Sequence, residues 1–273
     1  MNSPLYPVRA ILLVLLLVTG CSNTDSSSSD PVKTETPDSQ DASADAESLK
    51  DPQVATTEKA PTKEEIVEAH LKAMGGVDVL KTIQTVVKVS AMQTQDVTGS
   101  AEGKVTETFD LVADLGRIDL DLGTYQESKG WRKQQGWKQT SAEPLRALTA
   151  EELALDKIGM PISAVYSVFD AFGIDAFLPP SRARLNGQDC IKLNFMGSPM
   201  DIIINDQTKL IQAFQIADFM RITFSDYRDV QGVMMAYKTK VEIKPSNQTL
   251  IIEVESIEIN SKLDAAKLEK PGN

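Results

Sequence analysis

The chain offers little that could carry out bond chemistry. It has 273 residues, with a single histidine, His70, and two cysteines, Cys21 and Cys190. General acid–base work needs a proton-transfer group held in a site. His70 stands in a stretch with helical spacing, where a partly exposed structural imidazole is the plainer reading than a general base. Asp119 and Asp121 could pair as carboxylates. At i, i+2 beside Arg117 they fit the solvent face of a strand better. Cys190 follows a turn into a strand and reads as a small buried hydrophobe rather than a reactive thiol. No G-x-S-x-G elbow, phosphate-cradling glycine loop, HExxH or CxxC occurs. The sequence therefore predicts no catalytic residue, no metal ligand set and no cofactor, and a hydrolase is the weaker alternative.

Cys21 is the exception, because of what precedes it. Arg9 supplies a positive start, and Ala10 to Val18 form an uninterrupted apolar run. As a helix, residues 10–20 reach about 16 Å, half a bilayer core, which suits a secretion signal better than a membrane span. Val18-Thr19-Gly20-Cys21 resembles the lipobox of bacterial lipoproteins, which implies removal of residues 1–20 and lipidation of Cys21. Ser22, where Asp would favour inner-membrane retention, points by the same resemblance to the outer membrane, facing the periplasm. With Cys21 lipidated, Cys190 has no intrachain disulfide partner.

Residues 21–60 cannot fold by themselves. Val32, Leu49 and Val54 are their only larger apolar residues, and nine acids face Lys33, Lys50 and Lys59. Such composition cannot offset the entropy of ordering, so it predicts an acidic leash spanning on the order of 35 Å. Residues 61–273 then form one domain. The formal net charge of -11 disfavours nucleic acid or an anionic lipid surface as partner.

Within that domain Thr62-Lys63-Glu64-Glu65 is a capping-box pattern opening a helix that stops at Gly75-Gly76. From Thr85 the period changes to two. Arg117 to Leu122 alternates, with Ile118, Leu120 and Leu122 on one face; Tyr237, Thr239, Val241 and Ile243 likewise oppose Lys238, Lys240, Glu242 and Lys244. Asn186-Gly187 is a hairpin signal. Leu250, Ile252 and Val254 share one parity while Ile257 and Ile259 share the other, which predicts a bulge or sharp bend near Glu255-Ser256. Residues 158–176 read as helical, with Ile162, Val165, Phe169 and Phe172 on one stripe, Val168 beside it, and Met160 in the Gly-Met-Pro that opens it. The fold class expected is α+β: a strongly curved antiparallel sheet of about ten or eleven strands, an incomplete β-barrel, with an N-terminal helix and a mid-chain helical lid. A closed barrel of eight to ten strands is the alternative.

Several motifs, in order, resemble the LolA/LolB-like outer-membrane lipoprotein-sorting superfamily: residues 65–76 its opening helix, Asn186-Gly187-Gln188-Asp189-Cys190 a turn, and residues 205–211 and 224–233 two hairpins. The resemblance implies an apolar concave surface covered by helices, holding acyl chains or lipoproteins. A lipid anchor departs from the soluble carrier and is closer to the anchored acceptor. Neither the carrier's lid-locking arginine nor the acceptor's protruding apolar loop is matched to a position here. The apolar-cavity and lid candidates are Met160, Ile162, Val165, Val168, Phe169 and Phe172, joined by Trp131 and Trp137, each preceded by glycine. For the helical stripe, ordinary core packing explains the pattern equally well; for the tryptophans, packing at a hairpin does. The partner expected is a lipid or the acyl chain of a lipoprotein. The alternative function is a structural or assembly lipoprotein that docks another envelope protein.

Overall fold

A computed structural model describes residues 61–97, 99–158, 173–197, 199–264 and 268–270. Helix α1 (Lys63–Ala73) starts where the capping box places it. Thr62 Oγ1 accepts from the Glu65 amide at 3.2 Å and Glu65 Oε2 accepts from the Thr62 amide at 2.7 Å, so two of the helix's open donors are satisfied. Gly75, just past the Met74 C-cap, takes φ +119°, and a Cβ there would lie 2.0 Å from the Gly232 carbonyl oxygen. Only glycine permits that approach, and it ties the end of α1 to the sheet. A short α2 (Val77–Leu80) leads into the strands.

The strands are β1 (Thr85–Asp96), β2 (Gly99–Asp110), β3 (Leu115–Asp121), β4 (Gln126–Arg132), β5 (Gln135–Thr140) and β6 (Arg146–Ala147), then β7 (Ser181–Leu185), β8 (Gln188–Asn194), β9 (Met200–Asn205), β10 (Ile211–Ile216), β11 (Met220–Val230), β12 (Val233–Ile243) and β13 (Gln248–Ile259). All belong to one antiparallel sheet in the order β6-β5-β4-β3-β2-β1-β13-β12-β11-β10-β9-β8-β7. Two meanders therefore meet where β1 pairs with β13. The described sheet ends on β6 and β7 and does not close, so the barrel alternative falls.

Thirteen strands exceed the ten or eleven expected. β6 is two residues long, too short to show a period. The first half of β2, Gly99 to Lys104, has no apolar alternation, so the sequence does not mark it as strand. Helix α3 (Ala150–Ile158) lies ahead of the helical stretch expected from residue 158. Its signal was present: Thr149 Oγ1 accepts from the Glu152 amide at 3.1 Å, and Glu152 Oε2 from the Thr149 amide at 2.9 Å, a second capping box. Of the expected lid, residues 159–172 lie outside those described, and Ile174–Ala176 forms a 3-10 turn.

The bulge is where parity placed it. Val89 pairs with Ser256 and Ser90 with Val254, so Glu255 has no partner on β1. That extra residue returns Ile257 and Ile259 to the face already occupied by Leu250, Ile252 and Val254. At the Asn186-Gly187 hairpin both residues take positive φ, 52° and 79°, as a type I′ turn requires. Helices pack on one face of the sheet, here the inner face. Ile66 and Val67 of α1 meet Ile191, Leu193, Ile202, Ile204 and Ile211. Met74, Leu80 and Leu153 meet Val86, Phe109, Trp131 and Ile259.

His70 is buried, 1% exposed, rather than partly exposed as expected. Its Nδ1 lies 2.9 Å from the Lys209 carbonyl oxygen, so that nitrogen carries the hydrogen and donates. Burial lowers its pKa, opposed by that bond. Between the lowered value and the ordinary 6.5 the unfolded chain binds the extra proton, so stability is full above pH 6.5 and drains as pH falls. Denaturant unfolding from about pH 8 to about pH 5 should show this slope in the wild type and lose it in His70→Gln, which retains an amide donor.

Candidate functional site

Strand pairing maps the inner face as rows across the sheet. The first runs Val86, Phe109, Gly116, Trp131, Gly136. The second runs Lys88, Glu107, Ile118, Lys129, Lys138, Arg146, and the third Ser90, Val105, Leu120, Glu127, Thr140. The first row is apolar and packs under helices; Trp131 lies over Gly116, whose Cβ would fall 2.2 Å from the indole. The second and third rows place ionisable groups on the dry face of a sheet.

Each of these charges has a partner. Lys88 pairs with Glu107 across two strands, and Lys129 with Asp156 of α3. Lys138 Nζ stands 3.1 Å from Glu127 Oε2, with both side chains only 4% exposed. Tyr125 donates its hydroxyl to the same Glu127 oxygen at 2.8 Å. Burial, with Glu127 adding to it, pushes the Tyr125 pKa up, so the phenol stays protonated and remains a donor. Burial also raises the Asp156 carboxyl, against the opposing pull of Lys129. At the edge, Arg146 clasps Glu152 through Nη2–Oε1 at 2.7 Å and holds that carboxyl down to about 2. Matched charges leave the band electroneutral. Ser90 Oγ beside it has no hydrogen-bond partner, in a residue with 0% exposure.

An apolar stretch borders this band. Met92, Leu122, Tyr125, Met220, Ile243 and Leu250 form a cluster, with Val105, Leu120, Ile216, Phe219, Ile222, Val241 and Ile252 partly buried against it. Every one of these belongs to a strand or to a turn between strands. Both other inner-face clusters draw residues from the helices; this one, among the described residues, draws none. A cleft of about 90 Å³ lined by Gln93, Gln95, Ser100, Glu102, Thr249 and Ile251 opens at the far end of β1, β2 and β13, well below the roughly 300 Å³ of a small-ligand pocket.

The two tryptophans part company. Trp131 faces inward, 1% exposed, with its ring 5.8 Å from that of Phe109. Trp137 pairs with Gly130 and takes the outer face, where the Arg117 guanidinium sits 5.5 Å from its ring. Met160, Ile162, Val165, Val168, Phe169 and Phe172 lie outside the described residues, as does Cys21. Asp119 and Asp121 are on the outer face as read; Asp119 binds Arg117 and accepts from Ser128 Oγ at 2.6 Å. Cys190 is buried on that face among Leu185, Ile203 and Ala213, and burial pushes its thiol pKa up, away from the reactive thiolate.

Sequence reading missed the charged band, although its signal was there. In Val86-x-Lys88-x-Ser90-x-Met92 and in Glu127-x-Lys129-x-Trp131 the charges occupy the apolar phase of the strand, not the polar one. A charge in that phase must be buried and therefore paired.

No family model matches the chain, and no curated protein matches it. Solved structures do. An outer membrane lipoprotein-sorting protein domain from Vibrio parahaemolyticus is similar at 10% identity and TM-score 0.49, over 76% of this chain and 95% of that one. A LolA superfamily protein from Nitrosomonas europaea is similar at 9% identity and TM-score 0.49, over 77% and 99%. A DUF1329 family protein from Desulfovibrio piger is similar at 12% identity and TM-score 0.48, over 74% and 97%.

Proposed function

We propose that this chain is a membrane-tethered binding module of the cell envelope that receives a lipid, or the acyl chain of a lipoprotein, against the inner face of its sheet. One observation carries the reading: the cluster running from Met92 to Ile252 is a continuous apolar surface to which, among the described residues, only strands and the turns between them contribute, and its side chains from Val105, Leu120, Ile222, Val241 and Ile252 are only partly buried. A guest hydrocarbon laid there gains roughly 0.8 kcal/mol per buried methylene, so a 16-carbon chain supplies on the order of ten kcal/mol before association costs. Few polar contacts are required. Residues 159–172, with the stripe of Ile162, Val165, Phe169 and Phe172, are proposed as the cover over that chain, and Cys21 as the lipidated anchor that holds the domain at a membrane, with the outer membrane favoured by Ser22.

The test has two arms. The mature chain in detergent should take up a fluorescent fatty acid saturably and should carry lipid on native mass spectrometry; a ligand-free chain with no saturable uptake contradicts the proposal and favours the docking lipoprotein. Cys21→Ser should leave folding intact and move the protein from the membrane to the soluble fraction; unchanged partitioning contradicts the anchor.

A further inference from the structure

The inner face is not uniformly oily, and its polarity is arranged. On β1 the inward residues are Val86, Lys88, Ser90 and Met92; on β2 the facing residues are Phe109, Glu107, Val105 and Gly103. Lys88 and Glu107 form an ion pair with side chains 18% and 11% exposed. Ser90, next inward residue to Lys88 and diagonal to Glu107, has 0% exposure and a hydroxyl with no partner. Opposite Ser90 stands Val105, and beyond it on the same face comes Met92, both members of the strand-built apolar cluster. One side chain of each sign and one unpaired, fully buried hydroxyl thus stand at the border of a hydrocarbon surface.

Packing alone does not account for these groups. Removing two charges from water costs several kcal/mol per ion, and apolar side chains of like volume would be as stable or more so. A buried hydroxyl left unpaired costs further. A bare hydrocarbon ligand would gain from none of the three. A headgroup with both charges would engage all of them: an anion beside the Lys88 ammonium, a cation beside the Glu107 carboxylate and, with the side chains that close Ser90 from solvent displaced, an oxygen accepting from Ser90 Oγ. Because Lys88 and Glu107 sum to zero, a zwitterion leaves the site neutral, whereas an anionic head leaves one uncompensated buried charge.

We infer that Lys88, Glu107 and Ser90 form a headgroup subsite for a zwitterionic phospholipid of the phosphoethanolamine type, whose acyl chains lie on the strand-built cluster. The inference rests on the acyl-binding reading above and names its ligand class.

The mature full chain in detergent would be titrated with three probes carrying the same fluorescent acyl chains: phosphatidylethanolamine, phosphatidylglycerol and diacylglycerol. Phosphatidylethanolamine should bind about tenfold tighter than either of the others. Ser90→Ala should weaken phosphatidylethanolamine alone, by about threefold to tenfold, and leave the Tm of the ligand-free chain unchanged or raised, since the hydroxyl it removes is unpaired there. Lys88→Met should abolish the preference between heads; should that variant fail to fold, Ser90→Ala decides by itself. Equal affinity for all three probes, or tighter phosphatidylglycerol, overturns the subsite while leaving acyl binding standing. No binding of any probe overturns both readings. Glycerophosphoethanolamine, the head without its chains, should compete only at far higher concentration; competition at the lipid's own concentration would make the ligand a soluble phosphodiester and overturn both.

Discussion

Lys138→Met should lower the stability of the domain by about 3–5 kcal/mol, and adding Glu127→Leu should restore most of it. Each side chain is 4% exposed, and the Nζ–Oε2 separation is 3.1 Å. Deleting the lysine leaves the Glu127 carboxylate on the inner face with the Tyr125 hydroxyl as its remaining partner in that group. One neutral hydrogen bond does not replace an ammonium, so the uncompensated charge dominates. Replacing both charges removes the desolvation cost together with the attraction, and the residual difference should be within about 1 kcal/mol of wild type. Denaturant unfolding of the two single variants and the double gives the coupling directly. A single-variant loss below about 1 kcal/mol would show that water reaches the pair and that the band is not buried in solution.

Ile222→Asp should reduce acyl-probe affinity by more than about tenfold, the second large effect. Ile222 stands between Phe214 of β10 and Val241 of β12 on the inner face. It is partly buried within the strand-built cluster, so a carboxylate there would face the guest chain without forcing apart a close-packed core. The matched control is Ser225→Asp on the same strand, exposed and paired with Lys238. Its uptake should equal wild type. Equal losses in the two variants would attribute the effect to the strand, not to the face.

What the sequence shows and what it hides follow from how each feature is encoded. The bulge at Glu255 was legible because five apolar residues on one strand cannot share a face without an extra residue between Val254 and Ile257. The Asn186-Gly187 turn was legible because few other dipeptides supply two positive φ angles. The first half of β2 was not, since Ser100, Ala101, Glu102 and Gly103 carry neither alternation nor strand propensity; pairing with β1 alone makes it a strand. Trp131 and Trp137 look equivalent in sequence, yet six positions apart along a hairpin they end on opposite faces, because the register sets Trp131 against Gly136 and Trp137 against Gly130. The charged band was hidden for a different reason. Each of Lys88, Glu107, Lys129 and Lys138 reads singly as a surface residue; strand phase marks Lys88 and Lys129 as inward, but only the cross-strand register shows that the four line up in one row. His70 was read too wet for the same cause, since the carbonyl that receives its hydrogen belongs to Lys209, 139 positions away.

Photo-crosslinking tests the central claim most directly. A fatty acid bearing a diazirine at its chain end, bound to the mature protein and irradiated, would be mapped by peptide mass spectrometry. Adducts should concentrate on inward residues of the strand-built cluster, among them Val105, Leu120, Ile222, Val241 and Ile252, and should be displaced by unlabelled fatty acid. Adducts confined to outward residues such as Val87 and Ile251, or labelling that excess fatty acid leaves untouched, would contradict an acyl site on the inner face.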